Sequence, residues 1–217
     1  MSQRLLSPRF LFRFAAPCQY RNKPWSAQGT KLTKAYRLLA LDELDDRQPW
    51  ADVRAAWSEE GLAFSVRVEG KRSPARCDTG RPLESDGMQL WIDTRDTHNV
   101  HRASRFCYRF VCLPFGNGPD RGQPLLEQVR IHRAREESNP VSTREVFVHS
   151  ERRVDGYLLE CLFPNQALRG FDSGEHGKIG FTYVIRDHEL GQQTWSCWGP
   201  LPWEEDPSLW GTLDLVR

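Results

Sequence analysis

The most regular alternation of apolar and polar positions lies between Ser85 and Phe110. It opens on an Asp86-Gly87 turn signal, then sets Met88, Leu90 and Ile92 on one side and Gln89, Trp91 and Asp93 on the other. A period of two is the signature of a strand with one buried face. A polar, charged loop follows from Thr94 to Ser104, and a second strand is expected from Arg105 to Leu113. There Phe106, Tyr108, Phe110 and Cys112 point one way, and Arg105, Cys107, Arg109 and Val111 the other. Antiparallel pairing of the two puts Gln89, Trp91, Asp93, Arg105 and Arg109 on one surface. A carboxylate, an amide, two guanidinium forks and an indole plane suit a polyhydroxylated ligand. The same pattern also describes an ordinary solvated sheet face with Trp91 packed under a loop.

The rest of the chain repeats this kind of signal. Phe10, Phe12 and Phe14 alternate with Leu11 and Arg13 and read as a first strand. Val53–Trp57 is expected to pair through a turn at Ser58–Gly61 with Leu62–Glu69, whose apolar face is Leu62, Phe64, Val66 and Val68. Further strands are expected at Val129–Ile131, Glu145–His149, Gly156–Phe163, Lys178–Asp187 and Trp210–Val216. Tyr36–Leu44 fits either a short strand or a turn of helix. Lys71–Ser85, Pro114–Pro124, Asn165–Gly177 and the tryptophan-rich Gly191–Asp206 read as loops. About ten short strands between Gly/Pro turns, with no long amphipathic helix, predict an all-β single domain, a sandwich or a barrel.

Charge narrows the partners. Lys+Arg 30 against Asp+Glu 29 gives a net charge of +1, which argues against nucleic acid and against a membrane surface. No apolar run approaches the roughly 18 residues of a membrane span. Arg13 interrupts the apolar N-terminal stretch before it reaches the length of a signal sequence, so a cytoplasmic location is expected. Six cysteines are present without any C-x-x-C pair, and Cys107 and Cys112 fall on opposite faces of one strand. All six are expected to be free thiols.

Catalytic signatures are absent: no G-x-S-x-G, no H-E-x-x-H and no glycine-rich phosphate loop occurs. The expectation is therefore a protein that is not an enzyme. Glu160 shares a strand face with Leu158 and Leu162 and reads as a hydrogen-bonded structural residue. His98 and His101 sit on a loop with Asp93 and Asp96, but the spacing is that of neither a zinc site nor an EF-hand, and any metal site stays unknown. The other unusual feature is Trp195-x-x-Trp198 followed by Trp203 and Trp210. Sugar rings present flat C–H faces that pack on indole planes. Trp210 opens a strand and is assigned to the core, whereas Trp198 and Trp203 fit core and platform equally.

Five segments in order then resemble one family. They are Ala56-Trp57 with Gly61-Leu62-Ala63-Phe64-Ser65-Val66, Asp86 to Asp93, Gly156-Tyr157 with Glu160 and Pro164, Ile179-Gly180-Phe181 with Asp187, and Pro207-Ser208-Leu209-Trp210-Gly211-Thr212-Leu213. This order is similar to the family 9 carbohydrate-binding module and the related DOMON-like sandwiches. The resemblance implies an immunoglobulin-like or jelly-roll-type β-sandwich over residues 51–217, with residues 1–50 as a strand and extension packed upon it. It implies a non-catalytic module that grips a saccharide between tryptophans, often near bound calcium, and no other cofactor. On this basis the ligand-binding candidates are Gln89, Trp91, Asp93, Arg105, Arg109, Trp198 and Trp203. Two departures stand out: Gln89 replaces the family's usual Glu, and Arg72–Ser85 supplies no aromatic residue. The alternative is a protein-interaction or structural sandwich that has lost the sugar site.

Overall fold

The structure, a computed structural model, describes residue 9 and residues 12–196 and 199–217. Eleven strands follow in chain order: β1 Ala15–Tyr20, β2 Ala51–Ser58, β3 Gly61–Val68, β4 Gly87–Asp93, β5 Cys107–Asn117, β6 Gln123–Val129, β7 Phe147–Arg153, β8 Gly156–Pro164, β9 Lys178–Asp187, β10 Gly191–Thr194 and β11 Gly211–Val216. They form one sheet in the order β6-β5-β4-β9-β11-β1-β2-β3-β8-β7, with β10 added to β9. The sheet curls on itself, so that β5 packs against β7 and β8 and the outermost strands β6 and β7 meet. The result is an all-β sandwich of one domain.

Alternation explains the layers. Met88, Leu90 and Ile92 of β4 and Tyr108, Phe110 and Cys112 of β5 all point into the interior, fully buried. From the opposite layer come Phe64 and Val66 of β3 and Leu159, Cys161 and Phe163 of β8. Aromatic rings bridge the two. Phe64 lies parallel to Phe181 of β9 with centroids 5.1 Å apart, and Phe110 meets Phe163 at 4.4 Å. Fully burying a large apolar side chain contributes about 1.5–3 kcal/mol, so this seam is the main source of cohesion.

The local differences from expectation have physical causes. Phe12–Phe14 is not strand, and Phe10 and Leu11 lie outside the described residues. The first strand is Ala15–Tyr20, which contains Pro17 and few β-formers. It exists because β11 pairs with it in parallel over Ala15–Gln19, while β2 joins only at Gln19 and Tyr20. Tertiary pairing here overrides propensity. Phe14 instead plugs the sandwich, edge-on to Trp195 at 5.1 Å. Tyr36–Leu44 contains neither strand nor α-helix, and short 3-10 turns occur at Lys34–Tyr36 and Asp42–Asp45. β5 runs on through Pro114 to Asn117, β6 stops at Val129, and β7 starts at Phe147. The presumed loop after Gly191 opens with β10.

Glu160 is buried and accepts from the Thr30 amide at 3.1 Å and the Thr30 hydroxyl at 2.5 Å, the structural role expected of it. Cys18, Cys77, Cys107, Cys112 and Cys161 are free, and Cys197 lies outside the described residues.

Candidate functional site

The outward face of β4 carries Gly87, Gln89, Trp91 and Asp93. Cross-strand register sets Arg186, Val184, Thr182 and Gly180 of β9 beside them on one flank, and Val111, Arg109 and Cys107 of β5 on the other. On β6, Glu127 stands opposite Val111 and Val129 opposite Arg109. Gly87 opens this face with φ +154, and a Cβ there would come within 2.3 Å of the Cys112 carbonyl oxygen, so only glycine fits.

This face is not simply solvated. The segment around Trp203 folds back across it and builds a second small core from Trp91, Ala103, Cys107, Ile131, Val184, Trp203 and Trp210. Trp91 and Trp203 meet edge to face, centroids 5.1 Å apart and planes at 67°. The Trp91 indole N–H donates to the Glu204 carbonyl at 3.0 Å, and that of Trp210 to the Trp203 carbonyl at 2.7 Å. Trp91 is completely buried and Trp203 nearly so.

Arg109 occupies the border of this lid. Its Nη2 donates to Gln89 Oε1 and to Glu204 Oε2, both at 2.8 Å, and its guanidinium lies 4.6 Å from the centre of the Trp91 ring. Gln89 uses its amide nitrogen on the Leu83 carbonyl at 3.3 Å. Burial pulls the Arg109 guanidinium below its usual pKa, Glu204 opposes that, and the neighbouring Arg186 adds to it. Its Nε and the Nε of Arg186 are both buried without a hydrogen-bond partner. An unpaired buried donor costs about 1–3 kcal/mol, so this border carries two unmet hydrogen-bonding demands.

The expected site residues thus have different fates. Gln89, Trp91, Arg109 and Trp203 come together as one linked cluster. Asp93 belongs to the same face but serves the turn after β4, accepting from Arg95 N at 3.0 Å and Thr97 N at 2.7 Å. Burial, the largest influence, pushes its carboxyl above the usual range. Arg105 is a correction: it stands in the turn before β5, exposed, 3.9 Å from Glu136 and over the ring of Phe106. Trp198 lies outside the described residues. Sequence reasoning missed Glu204 and Arg186. The alternation of Lys178–Asp187 would have placed Arg186 on an outward face; no local signal marks Glu204 as the partner of Arg109.

The carboxylates near this face are engaged by protein groups. Among the described residues no group of three or more His, Cys, Asp or Glu could hold a metal. The paired carboxylates of Asp86 and Asp187 already enclose the Lys71 ammonium, at 3.3 and 2.5 Å. On the Asp93–His98 loop, Asp96 holds His98 at 2.5 Å and accepts from Thr212 at 3.0 Å.

A search among curated proteins gave no match. Two solved structures of a family 9 carbohydrate-binding module from Caldicellulosiruptor kristjanssonii share the fold. The complex with cellotriose aligns at TM-score 0.61 and 10% identity, covering 93% of each chain. The complex with glucose aligns at TM-score 0.62 and 10% identity, covering 94% of this chain and 96% of the other. The family described as carbohydrate family 9 binding domain-like matches residues 23–217. With nearly the whole chain matched and the strand order in place, the protein belongs to that family of non-catalytic carbohydrate-binding-type modules.

Proposed function

We propose that the chain binds a saccharide on the outward face of β4, β5 and β9, at the border between Arg109 and the segment that carries Trp203. The observation that carries this reading is Arg109 itself. Two hydrogen bonds from one terminal nitrogen hold it in place, its Nε is buried and unpaired, and Gln89 and Glu204 stand within reach of the same ligand. Rigid planar donors beside amide and carboxylate acceptors match the alternating donors and acceptors of sugar hydroxyls. Gln89, Arg109 and Glu204 contact the saccharide. Trp91 and Trp203 position the lid. The similar structures solved with cellotriose and glucose support a saccharide as the ligand class.

One observation favours a second reading, a partner-binding sandwich without a sugar site. Trp91 and Trp203 are both buried, and no aromatic stands between Arg72 and Ser85 to form the opposite wall. A glycan array on the wild-type chain and on Arg109→Ala, with solution mass measured alongside, tests the choice. Glycan binding lost in the variant supports the site. No glycan signal together with a stable oligomer or a retained partner overturns it.

A further inference from the structure

The Arg186 side chain makes no hydrogen bond or ion pair with any described residue, although the residue is half-buried and its Nε is fully buried. An arginine in that state is unusual for a folded surface, because burial removes water from the guanidinium and nothing replaces it. Its position is fixed by register: Arg186 lies opposite Gly87 on β4, one pleat from Gln89, which binds Arg109. Arg109 has Glu204 as its counter-charge, and Arg186 has none among the described residues. Of the other acids on this face, Asp93 is held in the turn after β4, and Glu127 is on β6, three strands from β9. At about 4.8 Å per strand that is too far for it to pair with Arg186.

We propose that the saccharide taken by this site is anionic, a uronic acid whose carboxylate pairs with Arg186 while neighbouring hydroxyls use Gln89 and Arg109. This rests on the saccharide reading above and names its ligand class. A planar guanidinium matches a carboxylate with two parallel hydrogen bonds, so the unmet donor and the missing counter-charge are supplied by one group.

The test is calorimetry of the full chain against matched neutral and uronate oligosaccharides of gluco, galacto and manno configuration. In at least one pair the uronate should bind about tenfold tighter or more. Raising salt from about 0.05 to about 0.5 M should shrink that preference. Arg186→Gln should abolish the preference while neutral-sugar affinity and melting temperature stay unchanged, and Arg186→Lys should retain part of it. Equal affinities, a neutral preference, or a uronate preference that survives Arg186→Gln would overturn this inference and leave the saccharide reading standing. Binding to neither member of any pair would overturn both.

Discussion

The edge of the Trp91 indole donates to the backbone of Glu204, the residue whose side chain clamps Arg109. One ring therefore sets both the height of the lid and the reach of its carboxylate. Trp91→Ala should cost about 3–5 kcal/mol, the usual range for deleting a buried indole, and should release the segment around Trp203. Trp91→Phe keeps the ring contact, loses the N–H bond and should cost less, about 1 kcal/mol plus any cavity left behind. Urea unfolding measures both, and equal costs would show that the hydrogen bond rather than the ring seats the lid.

Arg109→Ala should change binding and stability together. Saccharide affinity should fall about tenfold or more, from the loss of charge-assisted hydrogen bonds. Stability should fall by about 1–3 kcal/mol, at the low end because the Glu204 side chain is 41% exposed and partly screened. Calorimetry and thermal melting on one sample read both. A melting shift without an affinity change would make Arg109 a purely structural brace.

The Lys71 cluster gives a pH dependence of definite sign. Burial lowers the Lys71 pKa, but Asp187 and Asp86 outweigh it and the net shift is upward from 10.5. Its stabilisation is complete below 10.5 and should be lost as pH rises through the higher folded value. Burial raises the Asp86 pKa, yet the backbone bond from Arg76, the two bonds from His188 and the Lys71 charge bring it below 3.8. That contribution is complete above 3.8 and should be lost as pH falls through the lower folded value. In Lys71→Met the Lys71 share of the alkaline loss should disappear, leaving that of the buried thiols and phenols, and Asp86, left facing Asp187, should titrate higher. Unfolding free energy measured from acid to alkaline pH checks all three.

The thiols should be present but inert. Burial pushes Cys107 up to about 12 and Cys77 up to about 11, so neither is thiolate near neutrality. Thiol titration in denaturant without reductant should count all six cysteines. In the native state labelling should be slow, with Cys77, the one partly exposed thiol among the described residues, reacting first.

Alternation made much of this architecture legible. The inward Met88, Leu90 and Ile92 and the outward Gln89, Trp91 and Asp93 are where the period of two places them. A period reports which side a residue takes, not what covers that side. The segment around Trp203 comes from more than a hundred positions downstream, so the burial of Trp91 and the capture of Arg109 by Glu204 were out of reach of local pattern. Arg186 was readable as outward-facing, but its placement beside Gly87 depends on β9 joining β4, a long-range pairing. Arg105 failed for the opposite reason. The alternation extends two residues beyond the ladder, because the chain turns at Arg105 and Phe106 to close the preceding loop.

The parallel seam of β1 with β11 bears on how the molecule is made. Ala15 lies opposite Thr212 and Gln19 opposite Val216, and β1 is the only strand between β11 and β2. During synthesis β1 waits for the much later β11, and its other neighbour, β2, grips it at only two residues. Until that seam closes, β9 and β2 both present open edges of the kind that recruit other chains. The hazardous interval in this protein's life therefore falls before β11 emerges, and slowed translation near Gly211 would lengthen it.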